Sequence, residues 1–374
     1  MDHLYAYPEH LVIQNLLPGI GERRISAPEA RALIARTPGI VPIGIDPDGA
    51  GAVYWADIGD YPFREWQFLF TIDHLAREGQ ITTSFSTPVD VLLDPEIAER
   101  GLAPRGFIFH VSRCGSTLLA KSLARSDENI VINQGGPLQH GFWTLITDNW
   151  QKPLEATEEN LTLFRQLVLA MTRVRAPGQK NAFIKFISWN TLCMDFVAKA
   201  FPGTPMIFLY RDAAEVIASV MKNTTAALEA RGSAKGEFIT GSRQDLDDVT
   251  YLSKCYKKYF QKALKAAKND LRVVNYKDIN ADNGLEIFAR GLGYNPSEAE
   301  WNKMRAQFSL YSKDDTGAQT FKSDKAEKRR AITDEQQKTI DNECRELAAE
   351  LDRCSGNLFP RSADQWTGGE AARV

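Results

Sequence analysis

The sequence predicts an α/β protein, in which a parallel sheet is flanked by helices and preceded by an N-terminal α+β extension. Five short apolar runs alternate with helical segments, which is typical of a parallel sheet covered on both faces. The five predicted strands are residues 106–112, 129–134, 182–187, 206–211 and 271–276. Because ligands of such sheets bind at the carboxyl ends of the strands, we expect the functional residues there.

Residues 1–104 are predicted to form the α+β extension, and no motif assigns them a role. Ser26 and Glu29 have the spacing of a capping box, which predicts a helix ending near Arg36. A strand over 53–56 and a helix over 63–77 follow from the apolar pattern.

Proline and glycine punctuate the chain around 88–106, so the second domain is predicted to span 105–357. It closes with an amphipathic helix that begins after Thr333, and residues 358–374 are predicted to be a disordered tail. The glycine-rich segment 226–243 is interpreted either as a lid on the substrate side or as an ordinary surface loop.

Composition limits the partners that we expect. The net charge of −3 gives no basic field for nucleic acid, and no apolar run approaches the roughly 20 residues that span a membrane. The N-terminus lacks the order of a signal peptide, and five cysteines without regular spacing favour reduced thiols. These observations predict a cytoplasmic protein that binds neither nucleic acid nor membrane, and they leave open a homodimer.

The first motif follows the first strand of the predicted parallel sheet, where residues 106–119 read GFIFHVSRCGSTLL. An apolar strand, a loop of small residues and a helix form a phosphate cradle, because backbone N–H groups converge at the helix N-terminus. Ser116 follows Gly115, where the nucleoside triphosphate signature would have lysine. The candidate anion-binding residues are Arg113, Cys114, Gly115, Ser116, Thr117 and Leu118.

The second motif lies about a hundred residues later, where an apolar strand ends at Arg211. Ser219 follows eight residues on, and two helical turns bring its hydroxyl back toward the end of the strand. An arginine and a hydroxyl so placed can bind one phosphate from two directions.

Together the two motifs resemble those of the PAPS-dependent sulfotransferase superfamily, in its bacterial P-loop-type branch, where PAPS is 3′-phosphoadenosine 5′-phosphosulfate. The resemblance covers about 105–330 and implies a P-loop-type sheet, PAPS as cofactor and PAP as the desulfated product. It implies that the Arg113–Thr117 segment holds the 5′-phosphosulfate and that Arg211 and Ser219 hold the 3′-phosphate.

Three further segments extend the resemblance. Lys185 lies on a strand where related enzymes carry a lysine, and Tyr276 begins a Tyr-Lys-Asp-Ile string similar to the Tyr-Glu-Asp-Leu of the family. Lys328 and Arg329 belong to a late basic run, which is either a loop that closes on the phosphates or a solvated charged segment.

Sulfuryl transfer needs in-line placement, positive charge on the transferred group and a base for the proton of the acceptor. Arg113, the amides of 115–118 and Lys185 are the candidates for the charge, and no cluster of metal ligands is evident. In the branch that this chain resembles, the strand after the cradle helix ends in glutamate. Gln134 stands there instead, and a neutral amide cannot take a proton.

Three readings of the missing base stay open. His140 can serve by its ordinary pKa, Gln134 can be a natural or engineered inactivation, or the acceptor needs little assistance. The expected activity is sulfuryl transfer to a hydroxyl or amine of a small molecule or peptide. The alternatives are a non-catalytic homologue that binds PAP or PAPS, and a P-loop kinase-like phosphotransferase.

Two residues of the first motif have structural interpretations. His110 is expected to pack or hydrogen-bond beneath the cradle. Cys114 is either a small residue that fits the loop or a thiol whose pKa is lowered by nearby cations.

Overall fold

The computed structural model describes residues 8–48, 50–310 and 331–361. Its N-terminal part contains an antiparallel sheet of three strands in the order β1-β2-β3. The strands are β1 (Ile40–Asp46), β2 (Ala52–Asp57) and β3 (Ser84–Pro88). The helices of this part are α1 (Glu9–Leu16), α2 (Ala27–Arg36), α3 (Phe68–Arg77) and the single turn α4 (Pro95–Ala98).

A parallel sheet of five strands forms the second part, which confirms the predicted α/β class. Its strands are β4 (Pro104–His110), β5 (Asn129–Asn133), β6 (Asn181–Lys185), β7 (Met206–Tyr210) and β8 (Leu271–Asn275), each within two residues of its predicted bounds. They are ordered β5-β6-β4-β7-β8, so β4 lies at the centre. Its neighbours are β6, which ends at Lys185, and β7, which ends just before Arg211. The carboxyl ends of these strands therefore lie along one edge.

Helices flank this sheet. They are α5 (Ser116–Leu123), α6 (Phe142–Ile146), α7 (Glu158–Met171), α8 (Met194–Ala200), α9 (Ala213–Lys222), α10 (Ala226–Glu229), α11 (Ala234–Thr240), α12 (Asp248–Ala267), α13 (Ala281–Glu286), α14 (Glu298–Arg305) and α15 (Asp334–Arg353). Within the described ranges, no helix combines the length and the apolar character that crossing a membrane requires.

Local sequence signals account for several helix ends. The Ser26 hydroxyl accepts the Glu29 N–H while the Glu29 carboxylate accepts the Ser26 N–H, so the predicted capping box is present. Thr333 and Gln336 form a second capping box at the start of α15, as the sequence predicts.

Three predictions need correction. The helix predicted from residue 63 begins at Phe68, because Phe63 instead packs on Phe68 and under the Arg175 guanidinium, 4.3 Å from the ring centroid. The segment 226–243 is not an irregular loop, since α10 and α11 lie within it.

The predicted tail also starts too early, because Leu358 is buried and exchanges backbone hydrogen bonds with the β8 region, donating its N–H to the carbonyl of Val273. Residues 362–374 lie outside the described residues.

Arg173, just after α7, connects the two parts of the molecule. Its guanidinium donates to the carbonyl oxygens of Ile34 at 2.8 Å and Ile40 at 3.2 Å, and the residue is only 1% exposed. Burial lowers its pKa to about 10. One hydrophobic core runs through both parts, from Ile13 of α1 to Leu351 of α15.

Candidate active site

The loop between β4 and α5 forms a concave row of backbone N–H groups. Ser112, Arg113 and Gly115 have positive φ angles of 76°, 49° and 80°. Successive residues in such conformations turn their N–H groups toward a common point, and the N-terminus of α5 begins directly afterwards at Ser116. The Arg113 side chain is anchored nearby, donating to the carbonyl oxygen of Asn223 at 3.0 Å. This geometry suits an anion.

Gly115 is required at its position for two reasons. Its φ of +80° is rarely adopted by other residues, and a Cβ there would lie 3.1 Å from the Tyr276 ring and 3.1 Å from Ile279. The cradle is therefore pressed against the start of the turn that follows β8.

His110 and Cys114 support the loop from beneath. The Ser112 N–H donates to His110 Nδ1 at 2.8 Å, which leaves Nε2–H to donate to the Phe186 carbonyl oxygen at 2.9 Å. Burial and then the charge of Lys185 lower the pKa of His110 well below its ordinary value, so the ring is neutral. The interpretation of His110 as a packing residue is confirmed.

Cys114 is fully buried, and its thiol donates to the Leu209 carbonyl oxygen at 3.3 Å. Burial raises its pKa to about 11. The alternative of an activated thiol is wrong, because desolvation outweighs the nearby cations.

Lys185 ends β6 with its side chain fully buried, and its Nζ has no hydrogen-bond partner among the described residues. Burial lowers its pKa to about 7. A buried amine without a partner is costly, and an anion beside it would supply the missing interaction.

Arg211 follows β7, and its guanidinium is held from three sides. It donates through Nε to the Glu215 carboxylate at 2.7 Å, donates through Nη1 to the Arg113 carbonyl oxygen at 3.3 Å, and lies 4.2 Å from the Tyr276 ring centroid. Ser219 lies one turn beyond Glu215 on α9. Both Arg211 and Ser219 line the same cavity as the cradle.

A cavity of about 2220 Å³ opens at the carboxyl edge of the sheet. Twelve predicted site residues line it: Arg113, Cys114, Gly115, Ser116, Thr117, Leu118, Gln134, His140, Lys185, Arg211, Ser219 and Tyr276. Lys328 and Arg329 lie outside the described residues. The structure thus brings both motifs to one cavity, while the roles of their residues stay predictions.

Gln134 lies just past β5 with a φ of +53°, and its N–H donates to the Lys185 carbonyl oxygen at 2.8 Å. This hydrogen bond connects the backbone of Gln134 to β6, the strand that ends at the buried amine of Lys185.

His140 lies further along the same wall, where its Nδ1 is 3.0 Å from Lys235 Nζ of α11. Burial and then Lys235 lower the pKa of His140 well below its ordinary value.

Sequence reasoning missed many of the lining residues, among them Glu9 of α1 and Lys235. Lys235 lies 4.7 Å from the Trp189 ring centroid, and burial lowers its pKa to about 8. The Glu9 carboxylate oxygens are buried against the backbone of Gly136, without a hydrogen-bond partner in the part of the chain that the structure describes. Burial raises the pKa of Glu9 to about 8, while Gln139 and Lys235 lower it by less. The Gln139 amide does not come within hydrogen-bond geometry of either Glu9 oxygen. No motif marks either residue.

Within the described ranges, one group of potential metal ligands exists, His10 with Asp46 and Asp48. Both Asp46 oxygens already accept hydrogen bonds, one from the Tyr54 hydroxyl at 2.9 Å and one from the Asp48 N–H at 3.0 Å. We therefore assign no metal to this group.

The fold and the cradle define an α/β protein of the P-loop type with a cavity suited to an anionic ligand. A model of the sulfotransferase family matches residues 104–287, and through this region the chain belongs to the sulfotransferase family.

Two solved structures are similar at low identity. The sulfotransferase domain of an olefin synthase from Synechococcus is 16% identical with a TM-score of 0.37, covering 65% of this chain and 95% of that chain. A sulfotransferase from Mycobacterium tuberculosis is 12% identical with a TM-score of 0.37, covering 60% of this chain and 80% of that chain. Among curated proteins, none matches the chain. Neither structural match carries a functional conclusion.

Proposed function

We propose that this protein is an enzyme that transfers a sulfuryl group from PAPS to a hydroxyl or amine of a small molecule or peptide. The observation that carries the proposal is the buried, unpartnered amine of Lys185 in the cavity that also contains the cradle. Membership of the sulfotransferase family supports the same activity.

The residues present fit a ligand with two separate anionic ends. The cradle amides, Arg113 and Lys185 would hold the 5′ end, and Arg211 with Ser219 would hold the 3′-phosphate. When bound, PAPS supplies the sulfuryl group and leaves as PAP. Glu215 now occupies one edge of the Arg211 guanidinium, so the phosphate would share this arginine with the carboxylate.

The residues of the chain contribute mainly placement and charge. Backbone N–H groups fixed in left-handed conformations cost no reorganisation when an anion arrives. Lys185 lies in a buried setting where its charge interacts more strongly than in water, and an anion would raise its lowered pKa so that it carries a proton.

One observation favours a second function, the non-catalytic binding of PAP or PAPS. The position where the resembled branch has glutamate carries Gln134, whose amide cannot accept a proton. The kinase alternative has no such support, because Ser116 replaces the lysine that nucleoside triphosphate cradles require.

Ligand-dependent thermal stability tests the cofactor assignment. We expect PAP to raise the melting temperature selectively over ADP and over ATP with Mg²⁺, since a ligand stabilises the native state by RT ln(1 + [L]/Kd). Release of PAP from PAPS in the presence of acceptor then separates an enzyme from a binding protein. A larger shift with ATP and Mg²⁺ than with PAP would contradict the proposal.

A further inference from the structure

The same cavity is also lined by Glu9, His140 and Lys235, ionisable groups from three separate segments, and we call this part of its wall the acceptor end. We propose that His140 and Lys235 together take the proton of the acceptor, and that Glu9 adjusts this pair from the N-terminal part of the chain. This inference rests on the proposed sulfuryl transfer, and it supplies the proton acceptor that Gln134 cannot provide.

The geometry of the pair decides which ring nitrogen is available. Lys235 Nζ lies 3.0 Å from His140 Nδ1, while Nε2 makes no hydrogen bond to any described residue. A charged Lys235 donates to Nδ1, so the neutral ring then carries its hydrogen on Nε2 and cannot accept a proton. A neutral Lys235 can instead accept from Nδ1–H, which leaves a free lone pair on Nε2.

The surroundings of Lys235 allow it to lose its proton at mildly basic pH, because they lower its pKa to about 8. Its Nζ lies 4.7 Å from the Trp189 ring centroid, a cation–π contact that favours the charged form. Burial is the largest cause of its lowered pKa, while the carboxylates of Glu229 and Glu9 raise it by less. His140 is the third ionisable group that faces it.

The pair formed by His140 and Lys235 takes up the proton that the acceptor loses in the transfer step. The proton of the acceptor passes to His140 Nε2 while the hydrogen on Nδ1 passes to the neutral Lys235 Nζ, which becomes an ammonium group. The lone pair of the acceptor forms the bond to sulfur, and the electron pair of the broken sulfur–oxygen bond leaves on the phosphate of PAP. Lys235 returns its proton to solvent after the products depart.

Glu9 lies outside residues 104–287, the region that matches the family model, and its charge acts on the pair formed by His140 and Lys235. Its carboxylate raises the pKa of Lys235, and the charge of Lys235 in turn lowers that of Glu9. Removing the Glu9 charge should therefore let Lys235 lose its proton at lower pH.

Substitutions at Lys235 separate proton transfer from simple charge. Lys235→Arg keeps the positive charge but cannot lose its proton, so we expect kcat to fall at least about 100-fold at every pH, with unchanged affinity for PAP. Lys199→Arg, on the exposed side of α8, is the matched control and should change nothing. Full activity of Lys235→Arg would overturn the proposal.

The pH dependence provides a second kinetic measurement. In the unsubstituted chain kcat should rise with pH through about 8 and level off above it, as Lys235 loses its proton. Glu9→Gln should shift this rise to lower pH and keep the maximal rate, with Glu22→Gln as the exposed control. Loss of all activity in Glu9→Gln would instead make Glu9 the proton acceptor and overturn the assignment.

Nitrogen NMR of the His140 ring tests the pair without turnover. We expect the hydrogen to move from Nε2 to Nδ1 as pH rises from 6 to 10, and to stay on Nε2 in Lys235→Arg. An unchanged tautomer in the unsubstituted chain would refute the pair. Absence of sulfuryl transfer despite PAP binding and a tautomer change would contradict the proposed function instead.

Discussion

The two ends of the cavity differ in how the chain builds them. At the cofactor end, residues 112–118 belong to one strand–loop–helix unit, and Arg211 and Ser219 belong to another. At the acceptor end, Glu9, His140 and Lys235 come from segments separated by more than ninety residues. The proposed anion binding depends on local backbone geometry, whereas the proposed proton transfer depends on contacts that only the tertiary structure creates.

Replacing Arg211 tests the cofactor end most strongly. Arg211→Ala should weaken PAP binding by about 2–4 kcal/mol, because a charge-assisted contact to phosphate is lost. Calorimetric titration measures the affinity, and Arg36→Ala on the exposed side of α2 is the matched control. The tautomer change of His140 should persist in Arg211→Ala. Unchanged affinity would refute the assignment of Arg211 to the 3′-phosphate.

Lys185 lines the same cavity, and its lowered pKa should make stability depend on pH. Because the folded chain holds this proton only below a pH of about 7 and an ordinary lysine holds it to 10.5, folding releases a proton between these values. Stability from this group therefore rises with pH across that window.

Lys185→Met removes this pH dependence. Relative to the unsubstituted chain, the variant should gain on the order of 2 kcal/mol of unfolding free energy at pH 6, and the gain should shrink toward pH 10. Denaturant unfolding at several pH values measures the difference, and Lys199→Met is the control. PAP should stabilise the variant less. A difference that does not vary with pH would show that Lys185 is charged in the folded chain.

Replacing Ser219 should have the smallest effect on PAP affinity. Ser219→Ala should cost about 1 kcal/mol of PAP affinity, as expected for one hydrogen bond to a charged group beside the larger contribution of Arg211. The same calorimetry measures it, and combining Ser219→Ala with Arg211→Ala should give less than the sum if both contact one phosphate. Strict additivity would place their ligands apart.

The sequence predicts the local structure of the proposed cofactor end well because its signals are local. Apolar runs define β4 and β7, and the small residues around Gly115 define the turn between β4 and α5. The same reasoning fails for the start of α3, since Phe63 is held by the distant Arg175 rather than by a helical neighbour.

The sequence predicts only part of the acceptor end. His140 follows from its ordinary pKa and its distance along the chain from Gln134. Its partner Lys235 lies in a glycine-containing segment whose helix α11 was not predicted, and Glu9 comes from a part of the chain without motifs. Their burial depends on packing between the two parts of the molecule, which local sequence does not encode.

The buried guanidinium of Arg173 limits where the chain can be divided into stable fragments. A fragment that began at β4 would retain Arg173 but lose both carbonyl oxygens that it contacts, leaving a desolvated cation to rehydrate at an exposed face. Exchanging the first hundred residues between homologues would likewise require a matching acceptor for this cation. The sequence boundary near residue 104 is therefore a change of architecture within one continuous hydrophobic core, and we expect a chain divided there to lose stability.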